Sequence, residues 1–275
     1  MTKSITLIFT FSLMMHLYAA ENRVVAVSSG VNEIVYSLNA QDQLVGNCVS
    51  SIFPEEANLL PKVGYQRMLP SEGILSLKPN LVILTSESGP KSVIDQLHQL
   101  NIEVVIVDAG RSLENIYKCI SIIGSTLDKE EEARLLIKKL KTEKLQLDRQ
   151  VKSLSEKPRV LFILGHGGMA RVAGLDTAAN SMIELSGGQN VISSFNGYKP
   201  VSPEELLELN PDYIVATTMG IDQHGGIKKF SQMSGLRDTS AVKKDRVLIF
   251  NAQYLLGFGP RTVTAAIDLN NRYDR

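Results

Sequence analysis

"SEGILSLKPNLVIL", residues 71–84, and "PEELLELNPDYIVA", residues 203–216, align without a gap at an offset of 132 positions. Each segment is typical of a short helix that stops before a proline, followed by a turn and an apolar strand. Shared helix-stop chemistry is one explanation of the match. Two similar lobes explain it better, because the whole unit recurs with Glu72 aligned to Glu204, Leu75 to Leu207, Leu77 to Leu209, Pro79 to Pro211 and Asn80 to Asp212.

Apolar runs alternate with helical patterns along the rest of the chain. The runs are short and mostly β-branched, which is typical of buried parallel strands, and they cover residues 23–27, 44–46, 81–84, 104–107, 159–164, 213–217 and 246–250. Amphipathic helices are predicted at residues 30–39, 91–101, 178–187 and 202–210. This alternation predicts an α/β fold of two lobes with mainly parallel sheets.

A long helix is predicted between the lobes. Residues 127–154, "LDKEEEARLLIKKLKTEKLQLDRQVKSL", contain no glycine or proline and are rich in Glu, Lys and Leu. At 1.5 Å per residue such a helix is a rod of roughly 40 Å. The alternative, a coiled coil, needs more regular apolar heptads. We therefore predict lobes at residues 21–126 and 156–275, a linking helix at 127–155 and a ligand cleft between the lobes.

The first twenty residues, "MTKSITLIFTFSLMMHLYAA", differ from the rest of the chain. Lys3 precedes an apolar stretch, and two alanines follow it, which predicts a secretory signal peptide over residues 1–20. A retained membrane anchor is the alternative, although the stretch is short for a membrane span. No cysteine lies near the junction, which argues against a lipid anchor. The mature protein is expected to be soluble and exported, in a bacterium to the periplasm.

Charge and cysteine content exclude several classes of protein. Lys plus Arg and Asp plus Glu both number 29, so no net charge favours nucleic acid or an anionic membrane. No serine elbow, P-loop or pair of catalytic carboxylates is present, so we do not expect an enzyme. Export would permit a disulfide between Cys48 and Cys119, but Cys119 lies in a helical pattern that favours a buried free thiol.

One histidine stands among glycines in "LFILGHGGMARV", residues 161–172. His166 directly follows a predicted strand, and ligands of open parallel sheets bind beyond the carboxyl ends of the strands. A dinucleotide loop formed by Gly165, Gly167 and Ala170 requires a helix that starts inside the motif. A zinc site lacks partner ligands. A structural histidine bonded to the backbone and an axial ligand of a flat iron macrocycle are the other interpretations.

The loop "PKVGYQRMLP", residues 61–70, offers a second ligand-type side chain. Tyrosinate and imidazole are both known haem ligands. Tyr65 must lose its proton to bind iron, and a neighbouring cation such as Arg67 favours the phenolate. Tyr65 and His166, one from each lobe, therefore suit an iron–porphyrin pocket.

Four segments carry a resemblance to a known family: "VGYQRMLPSEGILSLKPNLVIL", "LGHGGMARVAGLDTAANSMIELSGGQN", "FNGYKPVSPEELL" and "LLGFGPRT". They resemble the periplasmic haem-binding proteins of bacterial hemin ABC importers, over about residues 22–265. The resemblance implies one or two b-type haems per chain as transported ligand. It also implies that Tyr65 and His166 ligate iron on the same or on separate haems, that Arg67 supports Tyr65 or contacts a propionate, and that Arg171 and Tyr198 lie at the rim.

The same resemblance implies a membrane partner. In the wider family a glutamate on each lobe docks onto arginines of the permease, and Glu72 and Glu204 occupy those positions, with Glu205 as a possible substitute. The alternative is that they are ordinary first-turn acids favoured by the helix dipole. The expected protein is a monomer that delivers haem to an inner-membrane ABC permease and ATPase. A siderophore or cobalamin carrier on the same fold and an NAD-dependent enzyme using "GHGGMA" are the other hypotheses.

Overall fold

The computed structural model describes residues 22–108, 110–165 and 171–274. The predicted signal peptide and His166 lie outside these ranges. Within them, no helix combines the length and the apolar character needed to cross a membrane.

The N-terminal lobe contains a four-stranded sheet in the order β2-β1-β3-β4, with every neighbouring pair parallel. Its strands and helices, together with the short 3₁₀ segments Gln41–Gln43 and Glu55–Leu59, are β1 (Val24–Val27), α1 (Ser29–Ser37), β2 (Leu44–Asn47), α2 (Ser71–Leu75), β3 (Leu81–Thr85), α3 (Lys91–Gln99), β4 (Glu103–Val107) and α4 (Leu113–Thr126).

Side chains of β1 alternate between two cores, one on each face of this sheet. Val24 and Ala26 pack with α1 and α4, whereas Val25 and Val27 pack with α2 and α3. Each fully buried valine contributes about 1.5–3 kcal/mol to folding. Burial on both faces explains why these strands are continuous apolar runs in the sequence.

The C-terminal lobe contains strands in the order β10-β9-β5-β6-β8, with β7 beside β5. The pairs β5–β7, β5–β9 and β9–β10 are parallel, whereas β6 is antiparallel to both β5 and β8. The elements are β5 (Arg159–Leu164), β6 (Arg171–Ala173), α6 (Ala178–Leu185), β7 (Gln189–Asn190), β8 (Tyr198–Pro200), α7 (Pro203–Leu209), β9 (Tyr213–Thr217), α8 (Thr218–Gln223), α9 (Ile227–Ser231), α10 (Ser240–Lys243), β10 (Val247–Phe250), α11 (Ala252–Leu256) and α12 (Thr262–Asn270). The predicted α/β class with mainly parallel sheets is confirmed.

Helix α5, Glu130–Lys152, links the two lobes. Its 23 residues span about 35 Å. It begins three residues later than the predicted rod, because Asp128 adopts a left-handed conformation with φ of 56° that separates α5 from α4. Ala133 and Leu140 pack into the N-terminal core, and Leu147 packs into the C-terminal core. One face of a single helix is therefore part of both lobes, while the exact domain boundaries stay a prediction.

The repeated sequence unit folds as predicted in both lobes. Lys78 and Asn210, which align in the repeat, both take a left-handed conformation before their prolines, with φ of 49° and 33°. An arginine at the start of the first strand of each lobe bonds to this unit: Arg23 directly precedes β1, and Arg159 is the first residue of β5. The Arg23 backbone N–H donates to Asn80 Oδ1 at 2.8 Å, and that of Arg159 donates to Asp212 Oδ2 at 2.9 Å.

The side chains of the same two arginines also reach the end of the short helix in the repeated unit of their lobe. Arg23 Nη2 donates to the Leu77 carbonyl at 2.7 Å, and Arg159 Nη2 donates to the Leu209 carbonyl at 2.8 Å. We call these the arginine clamps. Because both bind helix-end carbonyls that lack a partner in the helix, they stabilise the turn between helix and strand.

A second contact joins the lobes directly. Glu33 of α1 is buried, and its carboxylate accepts from the Arg261 backbone N–H at 3.1 Å and from Arg261 Nη2 at 2.8 Å. The Arg261 guanidinium lies 3.4 Å from the centre of the Phe53 ring. Nearby, Phe258 of the C-terminal lobe packs against the N-terminal core. We call the Glu33–Arg261 pair the interlobe latch.

Both cysteines are free and buried in the structure. Cys48 lies beside the hydroxyl groups of Ser50 and Ser51, and the Cys119 thiol donates to the Asp108 carbonyl at 3.2 Å. The expectation of a buried free thiol at Cys119 is confirmed.

Candidate functional site in the cleft between the lobes

A cleft of about 870 Å³ lies between the lobes. From the N-terminal lobe it is lined by the start of α1, by the loop that holds Tyr65, and by the segments that follow β3 and β4. From the C-terminal lobe it is lined by the segments before α6 and β8, the start of α8, and residues 252–258. Several of these segments follow the carboxyl ends of parallel strands, where ligands of such sheets bind.

Tyr65 stands in a tight turn at the edge of this cleft. The Met68 backbone N–H donates to the Tyr65 carbonyl at 2.9 Å, and Gly89 N–H donates to the Gln66 carbonyl at 2.9 Å, which ties the loop to the segment after β3. Gly64 has φ of 109°, a conformation that side-chain-bearing residues rarely adopt. The Tyr65 side chain lines the cleft and the residue is 41% exposed. The fold therefore presents an accessible phenol to the cleft.

Arg67 is bonded directly to that phenol. Its Nη1 donates to Tyr65 Oη at 2.7 Å, and its Nη2 pairs with the Glu87 carboxylate. Partial burial opposes the charge of the guanidinium, but the hydrogen bonds to Tyr65 and Glu87 outweigh it and raise the pKa of Arg67. A permanent cation that donates to the phenol oxygen stabilises the phenolate more than the neutral phenol.

The sequence analysis did not identify two further charged residues of the cleft. Glu87 lies just after β3 and Arg111 just after β4, and Arg111 Nη2 donates to Glu87 Oε1 at 2.7 Å. Both follow the carboxyl ends of predicted strands. The rule that singled out His166 would therefore also have found them.

Tyr198 and Arg171 lie on neighbouring strands of the C-terminal sheet, and only one of them lines the cleft. Tyr198 does so. Burial raises the pKa of Tyr198, and the nearby Ala179 backbone, Arg111 charge and Thr177 side chain offset this only in part, so this phenol stays neutral. Arg171 is exposed and donates to the Tyr198 carbonyl at 2.7 Å, but it is not itself one of the residues that line the cleft.

His166 lies outside the described residues, but the residue before it is described. A Cβ atom added to Gly165 would lie 2.4 Å from Gly220, so this position requires glycine. Gly220 follows Met219, which lines the cleft. The dinucleotide hypothesis required a helix inside the glycine motif. Most of that motif lies outside the described residues; directly after it the chain forms β6 from Arg171, and the first described helix that follows, α6, starts after the N-cap residue Thr177.

Glu72 and Glu204 occupy equivalent exposed positions, in the first turns of α2 and α7. Each helix runs back to the start of the parallel strand that follows it. The first turn therefore lies near the carboxyl end of its sheet, on the side of the cleft. The structure thus brings Tyr65, Arg67 and Tyr198 to the cleft and leaves the two glutamates on the outer surface.

Comparison with known proteins agrees with this architecture. The model of the periplasmic binding protein family matches residues 24–254. The chain belongs to this family. A solved structure of the periplasmic heme-binding protein BhuT in complex with two hemes is 32% identical, with a TM-score of 0.87, over 91% of this chain and 97% of that one. The apo form of the periplasmic heme-binding protein RhuT from Roseiflexus sp. RS-1 is 31% identical, with a TM-score of 0.87, over 92% and 97% of the two chains.

Curated relatives extend the comparison to other cargoes. The ABC transporter substrate-binding lipoprotein YvrC of Bacillus subtilis is 28% identical over 251 residues, which cover 90% of this chain and 78% of YvrC. Vitamin B12-binding proteins match at 22–26% identity. Members of this family are thus substrate-binding proteins.

Proposed function

We propose that this chain captures haem in the cleft between its lobes and delivers it to an ABC importer. The observation that carries the proposal is the exposed Tyr65 phenol in the cleft, with the Arg67 guanidinium 2.7 Å from its oxygen. The similarity to two haem-binding structures above 30% identity supports the same cargo.

The proposed iron ligand is Tyr65 in its phenolate form. Ferric iron would replace the phenol proton at Tyr65 Oη, and Arg67, which is held in place by Glu87, would donate a hydrogen bond to the ligating oxygen. Tyr198 acts as a neutral wall of the cleft, because burial opposes its ionisation. A second ligand from His166 stays part of the proposal.

Delivery is proposed to use the two glutamates on the outer surface. Glu72 and Glu204 are exposed at repeated positions, which suits a partner with two similar subunits. The partner would be an inner-membrane permease with its ATPase, and the location of the mature chain the periplasm. The YvrC relative supports an ABC importer as the class of partner.

A hemin titration tests the cargo. Mature wild-type protein is titrated with hemin and, separately, with cyanocobalamin, while the absorbance spectrum is recorded. We expect saturable hemin binding with one or two equivalents and a spectrum of tyrosinate-bound ferric iron. Tyr65→Phe removes the ligand oxygen and should change the spectrum, whereas Tyr36→Phe, a matched change outside the cleft lining, should not.

Two results would overturn the proposal in different ways. Saturable binding of cyanocobalamin without hemin binding would favour the cobalamin carrier that more distant relatives suggest. An unchanged hemin spectrum and affinity in Tyr65→Phe would remove Tyr65 as the ligand. His166→Ala, measured in the same way, tests the second ligand.

A further inference from the structure

Arg111 and Arg67 share a single carboxylate in the cleft. Arg111 Nη2 donates to Glu87 Oε1 at 2.7 Å, and Arg67 bonds the other oxygen of the same group. Two guanidinium groups therefore flank one carboxylate. The planar guanidinium group matches the geometry of a carboxylate well.

The two arginines differ in how fully their donors are used. Both terminal nitrogens of Arg67 are engaged, one by Tyr65 and one by Glu87. Nη2 of Arg111 is engaged by Glu87, but its Nη1 reaches the Asp176 carbonyl only at 3.4 Å, near the limit for a hydrogen bond. The Arg111 side chain is 36% exposed and lines the cleft. Arg111 thus retains N–H groups that a ligand can use.

The position of Arg111 also favours contact with a ligand held between the lobes. It belongs to the N-terminal lobe but reaches Asp176 of the C-terminal lobe, and its charge acts on Tyr198. Asp108 also lines the cleft, but its carboxylate is occupied by the Asn115 side chain and by Gly110 N–H, at the start of α4. Arg111 therefore reaches across the cleft, and the carboxylate that it pairs with, Glu87, is shared with Arg67.

We propose that Arg111 binds a propionate of the haem and so selects porphyrins that carry free carboxylates. This proposal rests on the proposed function, because it needs haem in the cleft. In this proposal Arg67 donates to the iron ligand Tyr65, and Arg111 binds the acidic edge of the macrocycle. Glu87 holds both guanidinium groups at a fixed separation.

The test compares hemin with hemin dimethyl ester, in which both carboxylates are blocked. Dissociation constants for both porphyrins are measured by Soret titration for the wild type, for Arg111→Gln and for Arg149→Gln, a control at an exposed arginine of α5 outside the cleft lining. The ratio of the two constants reports carboxylate recognition. If the role of Arg111 were purely structural, Arg111→Gln would weaken the binding of both porphyrins alike and leave the ratio of the two dissociation constants unchanged.

We expect the wild type to prefer hemin, and Arg111→Gln to reduce that preference about ten- to a hundredfold, as expected for loss of a charge-assisted hydrogen bond. The tyrosinate spectrum should persist in Arg111→Gln, and Arg149→Gln should keep the wild-type ratio. A wild-type ratio in Arg111→Gln, or equal affinity of the wild type for both porphyrins, would overturn the role of Arg111. Failure of the wild type to bind either porphyrin would instead overturn the proposed function.

Discussion

The two lobes share a repeated frame but differ in the side chains that they present to the cleft. Each lobe fastens a helix–turn–strand unit with an arginine clamp, at Arg23 and at Arg159. The N-terminal lobe is parallel throughout and presents a hydrogen-bonded polar cluster, formed by Tyr65, Arg67, Glu87 and Arg111. The C-terminal lobe breaks the parallel order with β6 and β8.

Among the described residues, the C-terminal lobe lines the cleft with one charged residue, Asp176, and with apolar side chains that include Met219, Leu256 and Phe258. We propose that the repeated frame serves folding and docking. Ligand chemistry depends on the loops in which the lobes differ. Four predictions test this division.

The largest expected effect comes from breaking the interlobe latch that holds the two lobes together. Arg261→Ala leaves the Glu33 carboxylate, whose side chain is only 6% exposed, without its cation. Removing one partner of such a pair costs about 3–5 kcal/mol. Urea unfolding should show this loss for Arg261→Ala and almost none for Arg237→Ala, an exposed pair with Asp238. Equal losses in both variants would show that the latch does not stabilise the lobe interface.

The second prediction contrasts one tyrosine from each lobe. Tyr65→Phe should weaken hemin binding by at least about 100-fold, beyond the roughly 10- to 100-fold typical of losing an outer-shell partner of a metal. Tyr198→Phe should change the affinity less than about fivefold, because burial keeps its phenol neutral. Soret titrations of both variants check the contrast. A larger loss for Tyr198→Phe than for Tyr65→Phe would contradict the proposal that the iron ligand comes from the N-terminal lobe.

The third prediction concerns the arginine clamps. Arg23→Ala and Arg159→Ala should each lower the free energy of unfolding by about 1–2 kcal/mol. The loss should be larger for Arg23, whose side chain donates to two carbonyls, at Leu77 and Lys78, than for Arg159. Chemical denaturation measures both, with Lys157→Ala as an exposed control beside β5. No loss in either variant would mean that the repeated unit is stabilised elsewhere.

The fourth prediction concerns docking. The double variant Glu72→Ala with Glu204→Ala should slow haem transport about tenfold in vesicles that contain the importer, because it removes one charge contact from each lobe. Hemin affinity should be unchanged. Glu208→Ala is the control, since this exposed residue of α7 aligns with Ser76 and has no acidic counterpart in α2. Transport at the wild-type rate in the double variant would remove the docking role.

Much of the frame follows from local sequence. β5 and β9 have the predicted bounds, because buried parallel strands are continuous β-branched runs. Thr177 caps α6, because its hydroxyl accepts from Asn180 N–H, as is typical of a threonine directly before a helix. β6 and β8 were not predicted, since each has only three residues and little periodicity.

The site was only partly predictable. Tyr65 and Arg67 are two residues apart in the same loop, so their contact could be predicted from the local sequence. Glu87 and Arg111 belong to different loops that meet only because β3 and β4 pair in parallel. Glu33 and Arg261 are 228 residues apart, so their contact cannot be predicted from a local sequence pattern. His166, which lies outside the described residues, stays a prediction.

A crystal structure of the mature protein loaded with hemin tests the role of Tyr65 most directly. We expect the iron within bonding distance of Tyr65 Oη, with Arg67 still donating to that oxygen. A haem seated in the cleft on another ligand, with the Tyr65 phenol turned away from the iron, would contradict the proposed capture mechanism.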